Sequence, residues 1–303
     1  MSTPAITIED PIEPGGVGQE VMRQRQWKVL LSATMHQWRS RIGLVIFVAM
    51  VFVALAGPLF APHSPTQFVT APNSPPSSEA LFGGDNLGRD VWSRFLYGGR
   101  SVLGMSVAAT IIGVTLGLAV GLTAAYMSGV TDEVLMRISD VFMAFPQIVL
   151  ALLLLTAFPS SVILIVLIVG LSHAPRVARV IRGAAQQVVE RDFVKAAEAV
   201  GEPRRRIIFG ELLPNVTSPL TVEFGLRLTY SVGLIAAINF LGVGLQPPKA
   251  DWGLMINENR LAVTVQPWGV LLPVIALALL TIGSNLLTDG FARAAIGIDR
   301  GGE

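Results

Sequence analysis

Long apolar segments separated by polar ones dominate the pattern of hydrophobic and polar positions along the chain. Because an α-helix rises about 1.5 Å per residue, it needs about 20 apolar residues to cross roughly 30 Å of hydrocarbon. Six segments meet this requirement: residues 42–60, 102–127, 138–158, 161–180, 219–241 and 268–291. Pro175 and Arg176 interrupt the fourth segment, whose hydrocarbon part we expect to be 162–174. The pattern therefore predicts an all-α integral membrane protein with six transmembrane helices.

The composition of the chain agrees with a membrane location. Of the 303 residues, 52% are hydrophobic and only 14% are charged, whereas a soluble domain averages about 25% charged residues. The absence of cysteine excludes disulfides, thiolate metal sites and cysteine nucleophiles, and the three histidines are too far apart in sequence to indicate a metal site. A net charge of +1 argues against nucleic acid as a partner of the whole chain.

Lysine and arginine are distributed unevenly around the six segments. If the N-terminus is cytoplasmic, 16 of the 22 basic residues fall on the cytoplasmic side and five outside, and Arg227 falls within a span. Cytoplasmic flanks retain more lysine and arginine, so both termini are expected to be cytoplasmic. The first apolar segment is longer than the core of a signal peptide and is expected to remain as an anchor.

The polar segments divide the first third of the chain. Residues 1–22 are rich in glycine, proline and acidic residues and are predicted to form a disordered cytoplasmic tail. Residues 23–41 combine basic residues with apolar ones at helical spacing, which predicts an amphipathic interfacial helix on the inner leaflet or, equally well, an ordinary basic flank. The first span, 42–60, is followed by a proline-rich external loop, 61–101. The core domain is expected to comprise residues 102–303, with the other five spans.

Small residues recur every fourth position in the second predicted span, at Ala109, Gly113, Gly117, Gly121 and Ala125. Such a period forms a groove on one helix face that another helix can approach closely. We therefore interpret the three glycines as helix-packing residues. The alternative is that they line the permeation path.

A few polar residues lie within the apolar segments. Asn239 and Asn285 are candidates for the translocation path, because polar groups within spans are often functional. Glu223 and Arg227 are four residues apart near the cytoplasmic end of the fifth span, and this spacing predicts a structural pair.

A polar cytoplasmic segment at about 190–215 separates the fourth and fifth spans. A strong helix-forming sequence ends at Gly201, and Ala196, Ala197 and Val200 form a small apolar patch on it, bounded by charged residues. A patch of this kind suits insertion into a groove of a partner. An ordinary surface hairpin is the alternative, and the residues alone do not decide between the two.

This segment resembles the EAA loop of bacterial ABC importer permeases, whose pattern is Glu-Ala-Ala, three residues, Gly, nine residues, Ile-x-Leu-Pro. Ala196, Ala197, Gly201, Leu213 and Pro214 occupy the matching positions. Two positions depart from the pattern: Lys195 stands for the Glu and Glu211 for the Ile. The resemblance implies that this loop, including Lys195 and Val200, couples the chain to an ATPase.

Four further stretches are similar to the oligopeptide, dipeptide and nickel branch of that family, at residues 84–100, 136–146, 240–253 and 285–290. The resemblance implies a fold like that of type I ABC importer permeases and a location in the bacterial inner membrane. It also implies a heterodimer with a homologous permease, two ABC ATPase subunits and an external solute-binding protein. The implied cargo is a peptide, with nickel, glutathione-like peptides or glycosides as alternatives.

The sequence lacks the motifs of an enzyme. A phosphate-binding loop requires Gly-x4-Gly-Lys-[Ser/Thr], but none of the lysines, Lys28, Lys195 and Lys249, follows a glycine. No nucleophile elbow occurs either, so no catalytic residue is assigned. We expect no cofactor on this chain, and ATP and magnesium to be used by the partner ATPases. An ion-coupled carrier or a membrane scaffold is the competing class, but a carrier should show internal repeats and acidic residues within spans.

Overall fold

The structure is a computed structural model that describes residues 32 and 34–300, with side chains as far as residue 294. The predicted tail, 1–22, and most of the predicted interfacial helix, 23–41, lie outside the described residues. The described part is almost entirely helical. Its helices are α1 (Trp38–Ala56), α2 (Val91–Met127), α3 (Gly129–Ala144), α4 (Gln147–Ala157), α5 (Val162–Val189), α6 (Asp192–Ala199), α7 (Arg204–Arg206, π-helical Ile207–Leu212 and Leu213–Asn215 in succession), α8 (Thr217–Phe240), α9 (Trp252–Asn259) and α10 (Trp268–Arg300).

Five helices of the described chain are long and apolar enough to cross a membrane, namely α1 with the 3-10 turn that follows it, α2, α5, α8 and α10. A sixth crossing is formed only if α3 and α4 are taken together, and these two helices meet at an angle of 81°. The six predicted segments are therefore all present as helices. The third is present as two helices, which form either one broken span or a re-entrant loop.

The break in the third span corrects the prediction of a continuous helix over 138–158. Phe145 is extended, with φ −91° and ψ 133°, and Pro146 follows it. Proline disfavours helical backbone in the residue before it and cannot donate the hydrogen bond that would continue the helix. Apolar side chains continue across this point, so the hydropathy pattern did not reveal the break.

The fourth span shows the opposite behaviour. The sequence predicts an interruption at Pro175, but α5 continues through it as a single helix. Because α5 packs along the length of α2, tertiary contacts outweigh the cost of one missing hydrogen bond. Arg176 is consequently held within a continuous helix.

Helix α2 begins well before the predicted second span. The carboxylate of Asp90 accepts hydrogen bonds from the backbone N–H groups of Trp92 (3.3 Å) and Ser93 (3.0 Å), which caps the helix. The last part of the predicted loop 61–101 is thus helical.

The irregular segment before α2 is held to α9 by buried charges. Arg89 contacts Asp85 (Nε to Oδ2, 2.6 Å) and Glu258 (Nη2 to Oε1, 3.0 Å), and Arg94 contacts the other oxygen of Glu258 (Nη2 to Oε2, 2.6 Å). Nearby, the indole of Trp252 donates to the carbonyl oxygen of Phe95 at 2.9 Å. These contacts fix the irregular segment on the end of α2.

The helices differ in how much of their surface is covered within the chain. Half of the most apolar stretch of α2, α5 and α8 is buried, against 22% for α1 and 28% for α10. Helix α1 packs chiefly on α10, and this pair lies at the edge of the α2–α5–α8 core. The exposed side chains of α1 are largely apolar, as expected for a helix that faces lipid.

Candidate functional site

The segment between α5 and α8 contains the short helix α6, whose ends are defined by local sequence. Asp192 lies in its first turn, where a negative charge is favourable. At its other end Gly201 has φ +85°. Its N–H donates to the carbonyl oxygen of Glu198, and the N–H of Glu202 donates to that of Ala197, both at 3.0 Å. This is a Schellman motif, which turns the chain sharply towards α7.

One face of α6 is anchored in the core of the protein. Val194 is fully buried in a cluster with Ile207 and Leu212 of α7 and with residues in the C-terminal halves of α2 and α5. Ala197 is partly buried against the same cluster, and so is Leu213. A displacement of α6 would therefore be transmitted to α2 and α5.

The opposite face of α6 is open. Val200 is 84% exposed, and Ala196 and Lys195 are exposed as well. The side chain of Lys195 forms no hydrogen bond or ion pair with any described residue. The structure thus divides the predicted patch: Ala196 and Val200 point outwards, whereas Ala197 turns partly inwards. Exposed Phe209 on α7, which the sequence analysis did not select, adds apolar surface on the same segment.

The glycines of α2 lie against α5. A Cβ atom added at Gly117 would lie 2.5 Å from Cβ of Val177 and 2.7 Å from the carbonyl oxygen of Ala174. One added at Gly113 or Gly121 would lie 2.6 Å from a backbone carbonyl oxygen of α5. At these three positions there is no room for a side chain, and the two backbones meet directly.

The two asparagines proposed for the translocation path occupy different places. Asn239 is fully buried. Its amide donates to Asp251 Oδ1 and accepts from the N–H of Leu245, both at 2.9 Å. Burial raises the pKa of the Asp251 carboxyl above its ordinary value, and hydrogen bonds from neighbours including Asn239 oppose that rise. Asn239 therefore reaches no surface of the described chain, and its role in the translocation path stays a prediction. Asn285 is exposed on α10.

A buried polar network that the sequence analysis missed crosses the centre of the helical core. His173 of α5 is fully buried, and its Nε2 lies 3.0 Å from Ser231 Oγ of α8. Ser231 Oγ lies 3.2 Å from Thr110 Oγ1 of α2. Gln147, the first residue after the break in the third span, donates to the carbonyl oxygen of Ser172 at 2.9 Å. The network joins four helices, and the only signal for it in the sequence is that each residue is polar within an apolar segment.

Glu223 and Arg227 of α8 form a contact, with Arg227 Nε 3.1 Å from Glu223 Oε2 and both side chains buried. The guanidinium of Arg227 also lies 5.3 Å from the ring centre of Tyr230, which is 57% exposed. Towards the segment that contains α6, a cavity of about 450 Å³ opens between α5 and α8. Its lining includes Val180, Gln187, Arg191, Asn215, Ser218 and Glu223.

Within the described residues, no group of three or more histidine, aspartate or glutamate side chains is arranged to hold a metal ion. There is an apolar patch on a short helix at one end of the bundle, and a polar stripe between α5 and α8 inside it.

Comparison with known proteins gives consistent matches. Residues 113–296 match the family described as binding-protein-dependent transport system inner membrane component, and residues 26–76 match the N-terminal transmembrane domain of oligopeptide transport permease C.

Several curated proteins are similar over most of their length. The dipeptide transport system permease protein DppC of Alkalihalophilus pseudofirmus (strain ATCC BAA-2126 / JCM 17055 / OF4) is 32% identical, covering 84% of each chain. The glutathione transport system permease protein GsiD of Escherichia coli O6:K15:H31 (strain 536 / UPEC) is 32% identical, covering 86% of each. The oligopeptide transport system permease protein OppC of Bacillus subtilis (strain 168) is 28% identical, covering 88% of each.

Among solved structures, a chain of the MetNI methionine ABC transporter, crystallised in inward-facing conformations, superposes with a TM-score of 0.52. It is 18% identical and covers 65% of this chain and 96% of its own length. The likeness is one of fold.

Proposed function

Because the chain belongs to the family of binding-protein-dependent transport system inner membrane components, we propose that it is the permease subunit through which a bacterial ABC importer carries peptides. Members of the family are transport components of the inner membrane that work with ATPase and other subunits. Peptides are the proposed cargo because the similar permeases are named for oligopeptide, dipeptide and glutathione transport.

The proposed assembly has four kinds of subunit besides the cargo. This chain pairs with a homologous permease as a heterodimer, receives peptide from an external solute-binding protein, and is driven by two ABC ATPase subunits. ATP and magnesium are used by the ATPases. The termini of this chain are both cytoplasmic in the proposed orientation, which places the α6–α7 segment on the ATPase side.

The observation that carries the proposal is the division of α6 into an anchored face and an open apolar face. Ala196 and Val200 offer small apolar side chains to a groove of the ATPase, a mode of recognition in which a short helix supplies a few anchors. Val194 and Ala197 pack on the cytoplasmic ends of α2 and α5. ATP-driven movement of the groove would thereby reach the membrane helices.

A charge on the open face tests this coupling role. Val200→Asp would place a carboxylate in the apolar groove, and burying an unpaired charge costs several kcal/mol. Since about 1.4 kcal/mol is a factor of ten in binding, we expect co-purified ATPase to fall at least about tenfold. ATP-dependent peptide uptake by vesicles containing the complete complex should fall with it. Val200 is almost free of contacts within the chain, so the permease itself should remain in the membrane.

The matched control is Val265→Asp, since Val265 is 71% exposed and lies at the opposite end of the molecule. This variant should bind the ATPase like the parent. Full ATPase binding by Val200→Asp would remove α6 from the coupling role. Peptide uptake that persists without ATP would instead support the ion-coupled carrier.

A further inference from the structure

Arg176 stands apart from the other arginines of α5 and α8. Those three each contact a carboxylate: Arg179 with Asp140, Arg182 with Asp132, and Arg227 with Glu223. The side chain of Arg176 forms no hydrogen bond or ion pair with any residue in the described part of the chain, and it is only half-buried. Among the described residues, this cation has no counter-ion.

The position of Arg176 along α5 makes that lack of a partner costly in lipid. Helix α5 begins at Val162 and continues through Pro175. A rise of about 1.5 Å per residue places Arg176 about 21 Å from that first residue, less than the roughly 30 Å thickness of the hydrocarbon. We therefore extend the expected hydrocarbon part of this helix beyond residue 174 to Arg176. Arginine at such a depth faces the interior of a bundle or a water-filled cavity, and it commonly marks a substrate pathway. The open side of Arg176 is therefore expected to face water and solute.

Contacts between α5 and α8 show what lies opposite Arg176. His173 meets Ser231, while the cavity nearer the cytoplasmic segment is lined by Gln187 of α5 and Ser218 of α8. The two helices are thus antiparallel. Moving about one turn from the His173–Ser231 contact along each helix brings Arg176 level with Arg227. His173 is within electrostatic range of both guanidinium groups.

Among the described residues around this point, one positive charge has no carboxylate beside it. Glu223 balances Arg227, which leaves the charge of Arg176. Tyr230, beside Arg227, exposes an aromatic ring. One turn beyond Arg176, Val180 lines the end of the 450 Å³ cavity between α5 and α8. We call this space, from Tyr230 to the cavity, the α5–α8 groove.

We propose that Arg176 binds the carboxylate of a peptide in the α5–α8 groove during its passage, an inference that rests on the proposed peptide-import function. A guanidinium presents paired N–H donors that match the two oxygens of a carboxylate. Every peptide with a free C-terminus carries that group, whereas a bare metal ion or an uncharged glycoside does not. The exposed ring of Tyr230 offers an apolar surface to the adjoining side chain of the peptide.

The test uses the complete reconstituted complex and two tripeptides that differ only in a C-terminal carboxylate or amide. Uptake of each is normalised to the parent complex. Removing a charge-assisted hydrogen bond typically costs a factor of about ten or more, so Arg176→Gln should lower uptake of the free acid by at least about tenfold. Uptake of the amide should stay within about twofold of the parent. Arg176→Lys, which keeps the charge, should retain most of the uptake of the free acid.

A chemical rescue gives a second measurement that does not need the amide. The chain has no native cysteine, so Arg176→Cys carries a single thiol of its own, and the parent complex treated alike controls for the other subunits. A cationic aminoethyl thiosulfonate reagent should restore uptake of the free acid, and an anionic sulfonatoethyl reagent should not. Equal rescue by the cationic and the anionic reagent would overturn the proposal.

The other outcomes distinguish a failure of the carboxylate site at Arg176 from a failure of the proposed peptide-import function. An equal loss of both peptides in Arg176→Gln would show that Arg176 pairs with a group of the second permease, and would overturn the carboxylate site alone. Unchanged uptake of the free acid would do the same. A parent complex that imports neither peptide would overturn the proposed peptide-import function, and the site with it.

Discussion

At the residue scale, Gly201 shows how one backbone conformation supports the coupling segment. Its φ of +85° lies in the region that residues with a Cβ atom rarely adopt, although no atom lies within 4 Å of where that Cβ would be. A substitution therefore acts through backbone strain and not through a clash. We expect Gly201→Ala to cost about 1 to 2 kcal/mol, to reorient α7, and to reduce peptide uptake by the complete complex.

The control for this prediction is Gly183→Ala in α5. Gly183 has equally open space at its Cβ position but lies within a helix at an ordinary φ. Alanine is the better helix former there, so stability should be unchanged or slightly higher. Equal uptake by the two variants would show that the positive φ at Gly201 is not needed for coupling.

Single residues also show which structural features can be predicted from the sequence and which cannot. The positive φ of Gly201 follows from a helix-forming segment that stops at a glycine, because that signal is local. The inward turn of Ala197 and the buried bonds of Asn239 depend on which helices are neighbours, and periodicity within one segment does not contain that information. The same limit hid the contact between His173 and Ser231, which are far apart in sequence.

At the element scale, the close contact of α2 with α5 depends on glycines, which have no side chain. Leucine at Gly117 would collide with the backbone of α5 as well as with Val177. Overpacking of this kind typically costs about 1 to 3 kcal/mol, so Gly117→Leu should lower the temperature at which the purified permease loses its fold. Insertion into the membrane should persist because the helix becomes more apolar.

Helix α2 supplies its own control for that experiment. Gly104 is exposed, and no atom lies within 4 Å of its Cβ position. Gly104→Leu should therefore leave the thermal stability of the permease near that of the parent. If Gly117→Leu is as stable as Gly104→Leu, the two helices do not meet at the glycines.

The two prolines within predicted spans explain why helix breaks were harder to predict than helices. Pro146 ends α3, whereas α5 continues through Pro175. Pro175 is buried in the long contact with α2, while Phe145, before Pro146, is 53% exposed. Hydropathy reports which residues avoid water, and it does so equally well for straight and bent helices. The outcome at each proline was decided by packing partners that the sequence does not identify.

At the scale of the whole molecule, the six apolar segments predicted the helices that could cross a membrane. The described chain has five of them, or six if α3 and α4 form one span. The unequal distribution of basic residues predicts their direction. The described helices place Ser78 and Leu261 at one end of α2 and Val130 at the other, and all three are exposed. The basic residues of the α6–α7 segment lie at the Val130 end. By the tendency of basic residues to remain inside, that end should be cytoplasmic.

The absence of cysteine in the chain makes the orientation measurable with single substitutions. An impermeant maleimide added to spheroplasts should label Ser78→Cys and Leu261→Cys and leave Val130→Cys unlabelled. In inverted vesicles Val130→Cys should react and the other two should be protected. Because the three sites are similarly exposed, differences in labelling will report the side of the membrane and not burial. Labelling of Val130→Cys in sealed spheroplasts would reverse the orientation and would place α6 on the side without ATP.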